Sequence, residues 1–177
     1  MVWAIIAVVA VVMAVVIVLA NQKHKKLVAS GEIAERKPDF MKEAEDFHVK
    51  AADPQHVAEQ LKQIAQNTGV GCKGSISQQD FEISGGGWVA ALKKIEDTGE
   101  ETVYRFQFLK WNTRNGMPED ALRMNKAVTA IEKMFASIDP GMRIEKRQMD
   151  VHWRPRLFGS KNERERGSVC FRALFAC

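Results

Sequence analysis

The sequence predicts an α+β protein, in which an N-terminal transmembrane helix precedes a two-layer sandwich of two helices on one face of a mostly antiparallel sheet of four to five strands. Three observations predict this fold. The first 20 residues contain no polar or charged side chain. Two later segments have the apolar spacing of amphipathic helices, and several short runs alternate apolar and polar residues as half-buried strands do. Two such helices can cover only one face of a sheet, which gives two layers.

Residues 1–20 have the length and composition of a membrane span. At 1.5 Å per residue they would form a helix of about 30 Å, the thickness of the hydrocarbon core of a bilayer. The segment contains eight valines and three isoleucines, which are mediocre helix formers in water. In lipid the backbone must satisfy its own hydrogen bonds, so a helix is favoured in spite of these propensities.

A cleaved signal peptide is the alternative interpretation, because Val18 and Ala20 are small enough to form a cleavage site. Three features favour an anchor instead. No basic residue precedes the apolar run. The run is longer than the apolar core of about 7–15 residues in a signal peptide. It is followed at once by the juxtamembrane lysines, Lys23, Lys25 and Lys26, as in a stop-transfer segment.

The juxtamembrane lysines also predict the orientation of the chain. Basic residues near a span remain in the cytoplasm, so we expect a single-pass cell-membrane protein with its N-terminus outside and residues 21–177 in the cytoplasm. Trp3 would lie at the outer headgroup level, and the lysines would lie at the inner one beside the lipid bilayer. Ala10 and Ala14 form a small-xxx-small pair that could support homodimerisation, although five alanines in the segment make this spacing common.

Residues 21–45 are predicted to be a polar juxtamembrane linker. They carry six basic and five acidic residues, and Ser30-Gly31 and Pro38 interrupt regular structure. We interpret the segment as a solvated tether that also sets the topology. Asp39 to Asp46 is predicted to form a short helix at its end.

Residues 46–150 have the pattern of a domain of about 105 residues, which is large enough to bury a core. An alternation from Phe47 to Ala51 predicts the first strand. Asp53-Pro54 predicts a helix N-cap followed by proline at the first helical position. Gly69 is placed to end that helix.

Three or four antiparallel strands are predicted after this helix. Val70 to Ser77 and Asp80 to Ser84 are short, whereas Trp88 to Glu96 and Thr102 to Trp111 form the best hairpin in the chain. One face of the second hairpin strand is apolar and the other is largely polar, as in a sheet that is covered on one side. A helical turn over Trp88 to Lys94 is the alternative, since its apolar residues also fit a helical period.

The rest of the domain is predicted to be a second helix and a last strand. The chain turns at Asn115-Gly116, and Pro118 opens the second amphipathic helix. Asp139-Pro140-Gly141 ends this helix. Met142 to Val151 is predicted to be the last strand, with much of its surface charged.

The residues that usually carry chemistry form no recognisable motif. Cys72, Cys170 and Cys177 suit a reducing cytosol and contain no CxxC pair, and the four histidines match no zinc spacing. In TGVGCKGS, Thr68 to Ser75, the lysine precedes a glycine and a strand follows, so we interpret the segment as a helix end and a strand rather than a phosphate loop. The sequence therefore predicts no metal and no cofactor, and it favours a non-enzymatic role without excluding an enzyme.

The candidate ligand site is the segment GGGW, formed by Gly85, Gly86, Gly87 and Trp88. Three glycines give a flexible loop with exposed amides beside a large aromatic side chain. One interpretation is a mobile lip over a pocket, and the other, more common one is a turn in which the tryptophan anchors the core. The pocket would be completed by the aromatic face of the second hairpin strand, which consists of Tyr104, Phe106 and Phe108.

Residues 151–177 are predicted to be a basic, disordered tail. They contain six basic and two acidic residues, whereas residues 1–150 contain 20 of each. Because the excess charge lies in a tail and not on a folded face, nucleic acid is disfavoured as a partner. The alternative is a segment that lies on the inner leaflet, with Cys170 or Cys177 acylated.

These predictions describe a membrane-anchored protein that presents a small cytoplasmic domain. The expected role is binding, with a protein or a small or lipid ligand docked at the inner membrane surface. Two alternatives stay open. One is a structural subunit of a membrane assembly held through the transmembrane helix, and the other is a membrane-tethered enzyme with a pocket near Gly85–Trp88.

Overall fold

The computed structural model describes residues 2–50 and 52–149 of the chain. Within these ranges the helices are α1 (Val2–Ala29), α2 (Pro54–Thr68) and α3 (Ala121–Ile138), with a short 3₁₀ turn at Phe40–Lys42. The strands are β1 (Glu43–Val49), β2 (Gly71–Ser75), β3 (Asp80–Gly85), β4 (Trp88–Asp97), β5 (Thr102–Trp111), β6 (Thr113–Arg114), β7 (Met117–Pro118) and β8 (Arg143–Gln148). The predictions for Ala51, Asp150 and the tail lie outside the described residues.

Helix α1 is long and apolar enough to cross a membrane. Its segment Val8–Ala29 has 22 residues and a mean hydropathy of 1.5, and it is not buried within the protein. The helix continues past Ala20 into the predicted linker, because the glutamine, lysine and leucine residues that follow are good helix formers. It ends where the amide of Gly31 donates a hydrogen bond to the carbonyl of Val28 over 2.9 Å.

Six strands form one sheet in the order β2-β3-β4-β5-β1-β8, and every neighbouring pair is antiparallel. Helices α2 and α3 contact each other and pack on one face of this sheet. The predicted fold class is therefore confirmed, with six strands in place of four to five. Strand β1 lies inside the sheet between β5 and β8, and the two edges are β2 and β8.

The core lies between the helices and the sheet. The ring of Phe47 in β1 stacks on Phe135 in α3 with 4.9 Å between centroids, and Tyr104 in β5 lies 5.1 Å from the same ring. The other face of the sheet carries charged pairs, such as Lys93 with Asp80 at 2.7 Å. This arrangement explains why the sheet strands alternate between apolar and polar side chains.

The prediction for α2 is confirmed in detail. The helix begins at Pro54 after its N-cap Asp53, whose carboxylate accepts a hydrogen bond from the amide of Gln55 over 3.1 Å. It ends at Gly69, which has a φ of 66°. An aspartate cap before a proline and a left-handed glycine after the last turn are local signals, so neighbouring elements do not alter them.

The hairpin of β4 and β5 is also confirmed, and β4 is a strand rather than a helical turn. The side chains of Ala90 and Leu92 pair with Phe108 and Phe106 of β5 and are buried towards the helices. The register of the β4–β5 pair shifts twice, with the extra residue in β5 at the first shift and in β4 at the second.

Two local predictions are wrong. Helix α3 begins at Ala121 and not at Pro118, because Met117–Pro118 pairs with Thr113–Arg114 in a two-stranded sheet. The predicted short helix between Asp39 and Asp46 is a single 3₁₀ turn, after which β1 begins at Glu43. In both places pairing with a distant or adjacent strand overrides the local helical pattern.

Candidate functional site

The GGGW segment forms a tight turn between β3 and β4. Gly87 has a φ of 91°, its amide donates to the carbonyl of Gly85 over 2.8 Å, and its carbonyl accepts from the amide of Asn112 over 2.8 Å. A Cβ atom at Gly87 would lie 2.6 Å from Nδ2 of Asn112, and one at Gly85 would overlap the indole of Trp88. The turn therefore requires glycine at both positions. Gly87 is required because of its positive φ, and Gly85 is required because a side chain there would overlap Trp88.

Trp88 anchors this turn to the rest of the body. Its side chain is buried, and its indole Nε1 donates a hydrogen bond to Oδ2 of Asp120 over 3.1 Å. The indole also meets the ring of Phe108 edge-on, with 5.7 Å between centroids. Asp120 stands just before α3 and contacts Arg123 at 3.4 Å. The tryptophan thus fastens the β3–β4 turn to the start of α3.

The aromatic residues of β5 lie in the core. Tyr104, Phe106 and Phe108 are all buried, and Phe106 meets Phe108 edge-on with 5.1 Å between centroids. The hydroxyl of Tyr104 donates to Oε1 of Gln79 in a buried hydrogen bond. Burial, with smaller contributions from Asp97 and Asp53, raises the pKa of Tyr104 to about 12. This phenol is therefore protonated at neutral pH.

A hollow of about 230 Å³ remains beside the glycine turn. It contains part of the predicted pocket, since Gly85, Gly87 and Trp88 line it, but Gly86 and the β5 aromatics do not. The remaining lining is polar or small and consists of Ser84, Val89, Lys110 and Asn112. A ligand site at this place stays a prediction, and its contacts would come from the turn, Trp88 and Lys110 rather than from the aromatic residues of β5.

A second hollow of about 410 Å³ lies on the open face of the sheet. Lys73 and Ser75 of β2 line it together with Asp80 and Glu82 of β3 and Lys93 of β4. Lys93 and Asp80 form an ion pair across it at 2.7 Å. Both signs of charge are present, so the hollow has no net preference for an anion or a cation.

The predicted membrane-interface residues lie on one helix. Trp3 is 83% exposed near the start of α1, and Lys23, Lys25 and Lys26 are in its last turns. The rise of an α-helix separates Trp3 from Lys23 by about 30 Å along the axis, which matches the hydrocarbon thickness of a bilayer.

The sequence analysis missed a further cluster, in which residues 31–36, here called the strap, lie against α3. Ile33 is buried at 2% exposure, and the backbone of Ala34 is held from both sides. The amide of Ala34 donates to Oγ1 of Thr129 over 3.0 Å, and its carbonyl accepts from Nδ2 of Asn125 over 2.9 Å. Glu32 pairs with Lys126 at 2.7 Å. The strap therefore joins α1 directly to α3.

Arg36, at the end of the strap, enters a cage of acidic side chains. Its side chain is only 4% exposed, and Nη1 lies 2.6 Å from Oε1 of Glu45 in β1. Nη2 lies 2.6 Å from Oε2 of Glu132 in α3, and Nε donates to Oδ1 of Asn125 over 3.2 Å. Buried guanidinium groups require such partners, because an isolated buried charge is costly.

The cage contains two carboxylates and two cations. Lys146 of β8 approaches Oε1 of Glu45 at 3.1 Å from a half-exposed position and is the second cation beside Arg36. Burial, followed by the charge of Glu45, raises the pKa of Glu132, and these effects outweigh the opposing charge of Arg36. Among the described residues, Oε2 of Glu45 and Nη2 of Arg36 are buried without a hydrogen-bond partner, although Nη2 keeps its ionic contact with Glu132. The cage is therefore balanced in charge but not fully hydrogen-bonded.

Sequence reasoning could not find this cage from local patterns. The strap has one large apolar residue, Ile33, in a polar and charged context that indicates a solvated tether. Glu45 lies in a strand that alternates normally, and Glu132, which also contacts Arg36, lies in a helix 87 positions later. The single apolar residue Ile33 is too short a signal to be specific.

Metal and thiol chemistry find little support in the described part of the chain. No group of three or more histidine, cysteine, aspartate or glutamate side chains there is placed to hold a metal ion. Burial raises the pKa of the Cys72 thiol, which keeps it protonated and makes it a weaker nucleophile. Cys170 and Cys177 lie outside the described residues.

A scan against models of protein families and a search of curated proteins find no match to this chain. The contacts of α1, the strap and the body are therefore the basis for assigning a role.

Proposed function

We propose that the chain is a single-pass membrane protein whose α+β body is a binding module held at the cytoplasmic surface of the cell membrane. The observation that carries this proposal is the state of α1. Its apolar segment Val8–Ala29 is not buried within the protein. Exposing such a surface to water costs about 25 cal/mol per Å² of apolar area, and insertion into a bilayer removes this cost.

The way in which α1 meets the body supports a membrane-surface role. The strap follows α1 after a single residue, Ser30, and is fixed to α3 and β1 by the contacts of Ala34 and Arg36. The body is thus held close to the end of the helix and not on a free tether. A fixed attachment of this kind orients a binding surface relative to the bilayer.

A cleaved signal sequence has a similar length and composition. The anchor is favoured because no basic residue precedes the apolar run and the run exceeds the usual apolar core of a signal peptide. Lys23, Lys25 and Lys26 support a cytoplasmic body, because basic residues next to a span resist translocation.

The experiment joins a fluorescent protein that matures only in the cytoplasm, or a phosphatase active only outside, to the chain after Cys177. Fluorescence without phosphatase activity, in membranes that retain the protein after alkaline carbonate washing, is the expected result. Changing Lys23, Lys25 and Lys26 to glutamine should weaken the orientation preference without releasing the protein from the membrane. Phosphatase activity with a washed-out, shortened chain would show that residues 1–20 are a cleaved signal.

A structural subunit of a membrane assembly is the second candidate. The exposed apolar surface of α1 favours it, because the same surface can pack against another span, with Ala10 and Ala14 as the close-approach pair. Partners that co-purify with the full chain, and are lost when the apolar segment is replaced by an unrelated span, would favour this role over ligand binding by the body.

A further inference from the structure

Helix α1 leaves the body beside one side of α3. The strap begins one residue after α1, and a Cβ atom at Gly31 would lie 2.9 Å from Nζ of Lys133. The next residue of the strap, Glu32, pairs with Lys126 at 2.7 Å. Lys126 and Lys133 are two helical turns apart and therefore lie on the same side of α3. This side, which also carries Arg123 one turn before Lys126, is called the α3 face.

The length of α1 places the α3 face close to a bilayer. After the apolar run, residues 21–26 are exposed, and Leu27 is the next residue that is half-buried. Six residues of helix rise by about 9 Å, whereas the headgroup layer on each side of a bilayer is about 5–7 Å thick. The body therefore begins just beyond the headgroups, and long side chains beside the end of α1 lie within about one Debye length of them, roughly 8 Å. In this respect the inference rests on the membrane anchor proposed above.

Charge is separated between this side and the rest of the body. Residues 21–37 and 119–138, which contain the end of α1, the strap and α3, have eight basic and five acidic residues. The remainder of residues 1–150 has 12 basic and 15 acidic residues. Helix α2, which contacts α3, has one of each. An anionic surface therefore attracts the side from which α1 emerges and repels the rest of the body.

The α3 face combines basic and apolar side chains. Two acidic residues contact it, Glu32 at Lys126 and Asp120 at Arg123, and they neutralise only part of its charge. Leu122, one turn before Lys126, is 44% exposed. Exposed apolar and basic residues occur together on helices that lie at a membrane surface. We infer that the α3 face docks on anionic phospholipid headgroups, so that the body lies against the bilayer with this side.

The test reconstitutes the full chain into vesicles of phosphatidylcholine, alone or mixed with phosphatidylserine. The three native cysteines are replaced by serine, and a single new cysteine carries a fluorophore. Ser137→Cys places this label at an exposed position of α3, one turn after Lys133, and is called the α3 label. Ser77→Cys places it in the exposed turn between β2 and β3, at the edge of the sheet, and is called the edge label. A nitroxide on the lipid headgroup quenches a label that approaches the surface.

Docking predicts that phosphatidylserine strengthens the quenching of the α3 label and not that of the edge label. Added salt should reverse the effect, because it screens the attraction. Each basic residue near an anionic surface contributes about fivefold, so Lys126→Gln with Lys133→Gln should weaken docking about 25-fold. The matched control is Lys73→Gln with Lys110→Gln, which removes two exposed lysines from β2 and β5 and should leave the quenching unchanged.

Equal quenching of the α3 label with and without phosphatidylserine would overturn the inference and leave the α3 face to a different partner, such as an acidic protein. Equal effects of the two double variants would also overturn it, because the attraction would then come from net charge. Flotation with phosphatidylcholine vesicles after an alkaline carbonate wash tests the anchor separately. A chain that floats but shows no quenching that depends on phosphatidylserine refutes the docking alone, whereas a chain that is washed out refutes the anchor and the docking together.

Discussion

Replacing Arg36 with alanine should lower the free energy of unfolding by about 3 kcal/mol. The guanidinium is 4% exposed and has ionic contacts of 2.6 Å to both Glu45 and Glu132. Its loss would leave Glu45 buried, with Lys146 at 3.1 Å as the remaining cation. Breaking a buried pair by removing one partner costs about 3–5 kcal/mol, and the presence of Lys146 places the expected loss at the lower end.

The measurement is urea unfolding of the full chain in detergent micelles, followed by circular dichroism and tryptophan fluorescence. The matched control is Arg123→Ala, because Arg123 is 45% exposed and pairs with Asp120 at 3.4 Å. An exposed pair of this kind contributes about 0–1 kcal/mol. Arg36→Lys keeps the charge but not the planar fork, so its stability should fall between those of the wild type and Arg36→Ala.

Equal losses for Arg36→Ala and Arg123→Ala would refute the reasoning. The result would mean that the cage is as accessible to water as the surface, or that Glu132, whose pKa is already raised by burial, loses its charge when Arg36 is removed. Repeating the unfolding of Arg36→Ala over a range of pH separates these two explanations, since only the second gives a stability that rises as the pH falls.

Three further outcomes are expected from the structure. Gly87→Ala should destabilise the body more than Gly99→Ala, as measured by thermal unfolding. Both glycines have positive φ, but of the two only a Cβ at Gly87 meets another side chain, that of Asn112. Equal losses of stability would show that the contact with Asn112 does not crowd this position. Tyr104 is the single tyrosine, so absorbance of its phenolate should show a midpoint of about 12 in the folded protein. The phenol ionises near pH 10 in the unfolded chain, before it ionises in the folded protein. The contribution of Tyr104 to stability should therefore be fully present below pH 10 and be lost as the pH rises through about 12. Trp88→Phe should cost about 1 kcal/mol through the lost hydrogen bond to Asp120, and a neutral effect on unfolding would show that water replaces it.

The elements that were predictable from the sequence are those that depend on local chemistry. The cap of α2 at Asp53 and its end at Gly69 require only neighbouring residues. The alternation along β5 reports which face is buried, and the buried Tyr104 and Phe106 agree with it. Periodicity and capping therefore fixed the fold class, although the strand count and several boundaries depended on pairing.

The parts that were not predictable depend on partners far away in the chain. Asp46 is fully buried, although burial of an isolated carboxylate is unfavourable. Its burial is possible because Arg105 binds it through two hydrogen bonds of 2.7 and 2.8 Å. The strap appeared to be a tether because the residues that hydrogen-bond to Ala34, Asn125 and Thr129, are more than 90 positions later. No window of local sequence contains both partners of such contacts.

The same long-range contacts affect how fragments of the protein should be made. A body that begins at Asp46, the predicted domain boundary, would cut β1 after its third residue and remove Arg36. Glu132 and the buried positions opposite the strap would then face water. Ligand or stability measurements should therefore use the full chain, or a fragment that retains residues 31–45.

The place of β1 in the sheet has a consequence for synthesis of the protein. It is the first strand to leave the ribosome, but its two neighbours are β5 and β8, and β8 follows about 100 residues later, or roughly 5–20 s at the usual rates of translation. The strands β2 to β5 are consecutive hairpin partners and can pair as they emerge. During this interval α1 is already complete, whereas β1 has no partner until β5 emerges and then keeps one unpaired edge until β8 follows. Chaperone capture or mispairing of the nascent chain should therefore concentrate at β1, and the last step of folding is the addition of β8 to its free edge.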